Sequence, residues 1–245
     1  MLVRILLTII LLATAASQGW AAIAYVNGSV FNGSGSNVST MATAALNVTT
    51  GNLIVVTVSM NVSNDTVTSV NDTAGNTYHQ ATGCYIGGNG GSDIWYAYNV
   101  TGNASNVVTV VIGSAGNYGA VTQLQYSGAG TTSAVFQTCG NGSTTSGTAT
   151  SSSFNPSIAN GVNVVNEYVQ GSTTITQNGG YTARNTGWAT ADLYPASSGA
   201  QTASYNTSPS GNNAFINVAS FAPAGGSSST NVTINKATVN IATIN

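Results

Sequence analysis

The sequence predicts an all-β protein, and more specifically an antiparallel two-sheet β-sandwich of the jelly-roll or immunoglobulin-like kind. The first observation is an alternating apolar run over residues 53–62, which is typical of a half-buried strand with Thr57 and Ser59 on its polar face. The second is the abundance of turn residues, with 29 glycines and clusters such as Asn89-Gly90-Gly91 between β-branched runs. The third is that no stretch beyond the N-terminal apolar segment keeps the 3.6-residue apolar period of a helix.

The N-terminal segment predicts a cleavable signal peptide over residues 1–21. Residues 1–4 are a short basic region, residues 5–12 are an unbroken apolar run, and residues 13–22 are rich in small side chains. An uncleaved membrane anchor is the alternative, but the apolar run is shorter than the roughly 20 residues that span a bilayer. We therefore expect an extracellular or cell-surface protein with no membrane insertion beyond the signal peptide.

Residues 22–223 are expected to form the β-sandwich domain. Alternating or β-branched runs predict its strands at residues 22–31, 53–62, 94–99, 107–112, 120–126, 162–170 and 214–221. The Gly/Ser/Asn-rich residues 32–39 are predicted to form a loop, and residues 140–153 a loop or a weak edge strand.

Residues 224–245 are predicted to be a Gly/Ser linker followed by a strand-like tail. The apolar residues of the tail change parity midway, which a turn or a bulge would explain. We expect the tail to fold back on its own sheet or to stay disordered. The alternative is that it adds to the sheet edge of a neighbouring molecule as an extra strand.

Charged residues are scarce, with three Lys and Arg and five Asp and Glu in 245 residues, whereas roughly a quarter is usual in soluble domains. No basic stripe is available to meet phosphates, which argues against nucleic acids and anionic membranes as partners. The polar surface must come from Ser, Thr and Asn, as in exported β-proteins. Asn-X-Ser/Thr sequons, for example at Asn27, Asn47 and Asn99, would carry glycans if the source glycosylates exported proteins.

The same scarcity argues against an enzyme. A glycosidase needs two carboxylates beside one bond, and Asp93 and Glu167 could supply one each without forming a recognisable motif. A serine hydrolase needs a base, but His79 is the single histidine and no G-x-S-x-G elbow is present. One His and two Cys are too few for a zinc site. We expect a non-catalytic protein without a resident cofactor, in which His79 is an ordinary strand residue.

Cys84 and Cys139 are the two cysteines of the chain. An oxidising compartment favours pairing them in a disulfide, and two separate thiols are the alternative. The bridge would restrict the unfolded chain and so stabilise the fold.

Four sequence segments carry a resemblance to a known module. They are Asp72-Thr-Ala-Gly-Asn76-Thr-Tyr78, Ile94-Trp-Tyr-Ala-Tyr-Asn99, Asn106-Val-Val-Thr-Val110 and Gln125-Tyr-Ser-Gly128. In this order they resemble a β-sandwich module that recurs in secreted and surface-anchored bacterial proteins. The resemblance covers nearly the whole mature domain and implies a role in adhesion, scaffolding or carbohydrate contact. It supplies no catalytic residues.

The segment from Asp72 to Asn76 places oxygen-bearing side chains around a glycine turn. Asp72 and Asn76, joined by Asp65, could hold Ca²⁺, which takes about six to eight oxygen ligands. The alternative is a turn closed by hydrogen bonds from its own Asx side chains, which needs no metal. We favour the turn without metal, because a calcium site usually has more carboxylate ligands than this segment offers.

Four aromatic residues in turn-rich sequence could present exposed rings that stack on sugars. They are Tyr181, Trp188, Tyr194 and Tyr205. The alternative places the same rings in the core or at strand ends. On a separate predicted strand, alternation places Tyr96 and Tyr98 on one face and Trp95 on the other.

These observations predict a secreted or cell-surface protein with a structural or adhesive role. Its expected partners are further copies of itself or other surface proteins, and self-assembly would use the C-terminal strand if the tail takes the alternative of adding to a neighbouring molecule. The alternative is a secreted carbohydrate-binding module whose turn-borne aromatic residues contact extracellular glycans.

Overall fold

The computed structural model describes most of the chain. The described residues are 22–61, 66–86, 90–131, 136–143, 148–155, 159–169, 174–186, 190–208 and 213–225. Several expectations fall on residues outside these ranges, namely the signal peptide, the strand-like tail, Asp65 and Trp188.

The described residues form sixteen β-strands and no helix. The strands are β1 (Ala24–Ala42), β2 (Leu46–Val48), β3 (Leu53–Met60), β4 (Val67–Asp72), β5 (His79–Ile86), β6 (Gly90–Ala97), β7 (Asn103–Asn106), β8 (Val108–Ser127), β9 (Phe136–Ser143), β10 (Thr148–Thr150), β11 (Gly161–Val169), β12 (Thr174–Gln177), β13 (Thr182–Asn185), β14 (Thr190–Ala196), β15 (Ser204–Ser208) and β16 (Asn213–Phe221).

These strands pair into four sheets. A six-stranded sheet has the order β1-β8-β3-β6-β5, with β4 also paired to β8, and a five-stranded sheet has the order β13-β14-β11-β16-β9. A three-stranded sheet has the order β10-β15-β12, and β2 pairs with β7. Every described strand pair is antiparallel. The predicted all-β, antiparallel class is therefore confirmed.

Strand β8 pairs with three strands of the six-stranded sheet, because it is long enough to pair with two successive strands along one edge. Its first part pairs with β4 and its second part with β3, while β1 follows the other edge. Val110 and Val121 point into the same core although their positions differ in parity. A strand has a side-chain period of two, so this change requires an irregularity, and the β1–β8 register shifts between Ser34 and Thr40.

The six-stranded sheet thus curls over on itself and encloses the first core. The buried residues of core 1 include Met41, Val48, Ile54, Val56, Val58, Met60, Val70, Val110 and Val121. Two sequence predictions are wrong in this region. Residues 32–39 belong to β1 rather than to a loop, because β8 pairs with β1 on both sides of them. Residues 107–112 and 120–126 are not two strands, because the glycine-containing segment between them continues β8.

The six-stranded and five-stranded sheets face each other across core 2. Its buried residues include Ile23, Leu53, Val55, Ile94, Leu124, Tyr126, Val162, Val164 and Phe221. The opposite face of the five-stranded sheet packs against the three-stranded sheet across core 3, which contains Ala149, Phe154, Val165, Ala203, Tyr205, Ile216 and Val218. Strands β11 and β16 therefore contribute side chains to two different cores.

Strand β3 differs from its predicted half-buried state, because all eight of its residues are buried. Ile54, Val56 and Val58 point into core 1, as the alternation predicts. Thr57 and Ser59, each 1% exposed, point toward the five-stranded sheet rather than to solvent. The expectation of a solvent face was wrong because a second sheet, built from residues more than 70 positions later, covers it.

Candidate functional site

The turn from Asp72 to Asn76 is held together by hydrogen bonds to the Asp72 carboxylate. Its Oδ1 accepts from the backbone N–H groups of Ala74 (3.2 Å) and Asn76 (2.9 Å). Its Oδ2 accepts from the Asn76 amide (2.8 Å), the Tyr78 hydroxyl (2.9 Å) and the Asn106 amide (3.2 Å). Gly75 closes the turn with φ +76°, a backbone conformation that favours glycine.

These donors determine the charge state of Asp72. Burial alone would raise the pKa of Asp72, but the hydrogen bonds from Asn76, Tyr78 and Asn106 outweigh it and lower the pKa below its ordinary value. The donors approach both carboxylate oxygens, the atoms that a cation would need. This geometry is that of the Asx-closed turn, and no group of three His, Cys, Asp or Glu side chains suited to a metal occurs among the described residues. Calcium binding stays a prediction.

The described members of the sugar platform that the sequence suggested pack against two different cores. Tyr205 is 1% exposed and lies in core 3, so its placement at an exposed turn was wrong. The reason is strand alternation, because Tyr205 occupies an inward position of β15, between the half-exposed Ser204 and the exposed Asn206. Tyr181 is half-buried against core 3, whereas Tyr194 packs against core 2. Trp188 lies outside the described residues.

The cysteines lie on neighbouring strands. Cys84 is in β5 and Cys139 is in β9, and Cα atoms of these two strands approach within 8 Å of each other. Only the backbone of both residues is described, so the disulfide stays a prediction.

A cleft of about 480 Å³ opens where the Asp72 turn meets the ends of β5 and β6. It is lined by residues 75–77, His79, Tyr96, Tyr98, Asn99 and Thr131. Because it gathers three aromatic rings in a concave surface, we name it the aromatic cleft. Its residues come from three separate segments, two of which are brought together by the pairing of β5 with β6.

The three rings of the aromatic cleft form a continuous row. The His79 and Tyr96 ring centroids are 5.7 Å apart, and those of Tyr96 and Tyr98 are 5.2 Å apart with an interplanar angle of 63°. Phe221 supports the row from core 2, at 5.6 Å from Tyr96 and 6.1 Å from Tyr98. His79 is exposed, Tyr96 is buried and Tyr98 is half-buried, so both ends of the row are more accessible than its middle.

Two asparagines flank these rings. The Asn76 side chain is held in place, because its Oδ1 accepts from the backbone N–H of Thr101 at 2.7 Å and its amide donates to Asp72. Asn99 is exposed and has φ +48°, in the left-handed region that non-glycine residues adopt rarely. Such a backbone conformation recurs at ligand-binding positions, where the surrounding structure enforces it.

Sequence reasoning found part of this cleft. The alternation of residues 95–98 was read correctly, since Trp95 packs against core 1 and Tyr96 lies in core 2. His79 is a strand residue, as expected, but it also lines the cleft. The juxtaposition of His79 with Tyr96 depends on the β5–β6 register, which pairs these two residues directly and which the sequence does not reveal.

The carboxyl groups that a glycosidase would need do not meet. Asp93 lies between Ser92 and Ile94, which face the five-stranded sheet, so Asp93 points to the other face and accepts a hydrogen bond from Gln80 at 3.2 Å. Glu167 follows a residue that faces the six-stranded sheet, so it points toward core 3. The two facing sheets lie between the Asp93 and Glu167 carboxyl groups. These carboxyl groups therefore do not flank one cleft.

An ion pair within the five-stranded sheet belongs to a cluster that joins the two large sheets. Arg184 Nε donates to Asp192 Oδ2 at 2.9 Å, and the buried Tyr126 hydroxyl donates to the same oxygen at 2.7 Å. The Arg184 guanidinium lies 3.6 Å from the centroid of the Tyr25 ring, a cation–π contact. Tyr25 and Tyr126 belong to one sheet, and Arg184 and Asp192 to the other, so this cluster fixes how the sheets face each other.

The second candidate surface is the outer edge of β1. This 19-residue strand hydrogen-bonds to β8 on one side, and no described strand pairs with its other edge. Its sequence contains no charged residue and no proline, which are common protections of an open edge. Val26 and Val30 are exposed by 44% and 39%, and they lie on the same face of the strand.

Comparison with protein-family models, curated proteins and solved structures gives no match for this chain. None of the described residues forms a helix that is long and apolar enough to cross a membrane. The candidate functional surfaces of the described residues are the aromatic cleft and the outer edge of β1.

Proposed function

We propose that this chain is a secreted or cell-surface, non-catalytic structural or adhesive protein that associates with further copies through the outer edge of β1. The strand that occupies this edge comes from the C-terminal tail, residues 231–245. In this proposal the two large facing sheets form a β-sandwich of the jelly-roll or immunoglobulin-like kind, which agrees with the resemblance to secreted surface modules. The N-terminal segment of the sequence supports export.

The open β1 edge is the observation that carries this proposal. An edge strand exposes a row of unpaired N–H and C=O groups, which act as a template for another strand. Strand addition takes its affinity from main-chain hydrogen bonds and its specificity from side chains at alternate positions. The exposed Val26 and Val30 supply apolar contacts on one face of such an added strand.

The exit point of the tail supports the choice of occupant. Ala224 donates its backbone N–H to the carbonyl of Gly128 at 2.8 Å. Gly128 follows Ser127, and Ser127 pairs with Ala24, the first residue of β1. The last described residue, Gly225, therefore directly follows a contact with the end of β8, close to the start of β1.

The linker length separates two modes of addition. Residues 226–230 span at most about 17 Å when fully extended. Within one molecule the tail must therefore run from the start of β1 in the direction of β1, as a parallel strand. On a second molecule the tail can take the antiparallel direction, which forms slightly more stable pairs. Addition of the tail to a second molecule is a head-to-tail contact. Such contacts need not close into a ring, and an open series of them produces fibres.

The experiment is size-exclusion chromatography with light scattering, combined with electron microscopy, on the secreted chain and on a chain ending at Gly225. We expect oligomers or fibres from the full chain and monomers from the truncated one. A Val30→Lys substitution places a charge on the edge strand and is expected to weaken assembly in the same way. Assembly that survives the truncation would exclude the tail as the donor strand. A full chain that stays monomeric at high concentration would exclude self-assembly altogether.

A further inference from the structure

The aromatic cleft lies toward the β5 edge of the six-stranded sheet, at the opposite side from β1. Strand addition at β1 does not use it. Its volume of about 480 Å³ falls in the range of about 300–1,000 Å³ that is typical of small-ligand sites. The cleft therefore requires an explanation of its own.

The side chains that line the cleft define the chemistry of a ligand. None of the described lining residues is Asp, Glu, Lys or Arg, so the cleft offers no fixed charge to an ionic ligand. None is aliphatic either, so it offers no pocket for an apolar side chain or an acyl chain. What remains is aromatic rings, amides and hydroxyls. A ligand that matches this set is neutral, cyclic and rich in hydroxyl groups.

The aromatic row provides the stacking surface. The face of an aromatic ring carries partial negative charge, which attracts the partially positive C–H groups on one face of a pyranose ring. Tyr98 is suited to this role, because its packing against Phe221 holds the ring while part of its surface stays accessible. His79 extends the row to the surface and adds a ring nitrogen as a hydrogen-bond partner.

One of the two flanking amides, that of Asn76, is preorganised for hydroxyl groups. The Asn76 side chain is fixed by Asp72 and Thr101, and its Oδ1 keeps a second lone pair beyond the bond from Thr101. Asn99 is held at φ +48° directly after the row, which places its exposed amide at the rim. Fixed side chains lose little conformational entropy when they bind a ligand.

We infer that the aromatic cleft binds a neutral saccharide, with a pyranose ring stacked on Tyr98 and its hydroxyl groups bonded to His79, Asn76 and Asn99. This site differs from the platform of Tyr181, Trp188, Tyr194 and Tyr205 that the sequence suggested. It gives a protein of the proposed structural class a second point of attachment, to a glycan rather than to another copy. The inference does not depend on the β1 edge.

Binding of neutral oligosaccharides to the full secreted chain tests this assignment. The probes are fragments of β-1,4-glucan, β-1,4-xylan, chitin and α-mannan, measured by glycan array and then by titration calorimetry. We expect Tyr98→Ala to weaken binding by about tenfold, the scale of one aromatic contact. Since Tyr98 also packs against Phe221, the two exposed positions provide cleaner variants. His79→Ala and Asn99→Gly are each expected to weaken binding by about threefold without loss of the fold.

Trp188→Ala is the matched control, because it removes the aromatic residue that the sequence favoured instead. Unchanged affinity in Trp188→Ala, together with weaker binding in the three cleft variants, supports the aromatic cleft. The opposite pattern would place the glycan elsewhere and overturn the inference. It is also overturned if no neutral saccharide binds, or if only peptides bind. The chain ending at Gly225 should bind the same glycans equally well, which separates this result from the assembly experiment.

Discussion

Two adjacent buried residues on opposite faces of the five-stranded sheet, Asn166 and Glu167, differ in whether their polar atoms have partners. Toward the six-stranded sheet, Asn166 donates to the Val58 carbonyl at 2.9 Å and to Ser92 Oγ at 2.7 Å, and its Oδ1 accepts from Thr190 at 3.0 Å. Toward the three-stranded sheet, the next residue, Glu167, is 0% exposed, and neither of its carboxyl oxygens has a hydrogen-bond partner among the described residues.

The first face holds an extended inter-sheet polar network. Besides Asn166 it comprises Thr57, Ser59, Ser92, Thr122, Asn185, Thr190 and Asn217. Thr190 donates its hydroxyl hydrogen to Asn166, so Thr57, at 2.8 Å, must donate to Thr190. The network lets hydroxyls and amides occupy a sheet interface that would otherwise need apolar residues.

The comparison shows that burial alone does not determine the cost of a polar side chain. A buried amide with partners costs little, whereas a buried carboxyl without partners is held neutral. Burial raises the pKa of Glu167 well above its ordinary value of 4.5. The chain thus buries one of its five acidic side chains in the neutral form.

The largest expected effect comes from breaking the network at its centre. Asn166→Ala leaves Ser92, Ser59 and Thr190 without their shared partner in a buried interface. We expect the free energy of unfolding to fall by about 3 kcal/mol. Chemical denaturation of the variant and the parent chain measures the difference.

Asn71→Ala is the matched control for this prediction, because Asn71 is an exposed asparagine on β4. We expect it to change the free energy of unfolding by no more than about 0.5 kcal/mol. Equal effects of the two substitutions would mean that the network does not hold the sheets together.

A smaller effect of opposite sign is expected on the other face. Glu167→Met replaces the unpartnered carboxyl with an apolar side chain of similar length beside Val165 and Tyr205. Removing this buried polar group should raise the free energy of unfolding at pH 7 by about 2 kcal/mol. Destabilisation by Glu167→Met would show that the carboxyl has a partner that stabilises it.

The pH dependence gives a second test of Glu167. Its pKa is raised in the folded state, so the folded protein binds this proton more tightly than the unfolded chain does. The resulting stability is complete below pH 4.5 and is lost as the pH rises through the folded-state pKa. We expect the free energy of unfolding of the parent chain to decrease as the pH rises. In Glu167→Gln this decrease should be absent. Thermal unfolding measured across this pH range shows the difference.

The sequence predicted what depends on nearest neighbours and missed what depends on distant ones. Alternation placed Tyr96 and Trp95 on opposite faces correctly, because a strand's period of two is local. It assigned Thr57 to solvent because nothing near it in sequence signals that a second sheet covers it. Tyr205 was misplaced for the same reason. The aromatic cleft joins His79 to Tyr96 through strand register, a long-range property that composition and periodicity do not encode.

The smallest expected effect concerns the partnered carboxylate, Asp72, which sharpens the contrast with Glu167. Its pKa is lowered in the folded state, so the stability it contributes is complete above its ordinary value of 3.8 and is lost as the pH falls. Asp72→Asn should reduce the free energy of unfolding at pH 7 by about 1 kcal/mol, because an amide cannot accept all five hydrogen bonds. The same substitution should also reduce the loss of stability at acidic pH. It should leave unchanged the loss at higher pH that is due to Glu167. With few other titrating groups in the chain, the parent should be most stable near pH 4, between the two ordinary values. If Asp72→Asn instead changed the pH dependence of stability on the alkaline side, the two carboxyl groups would be coupled.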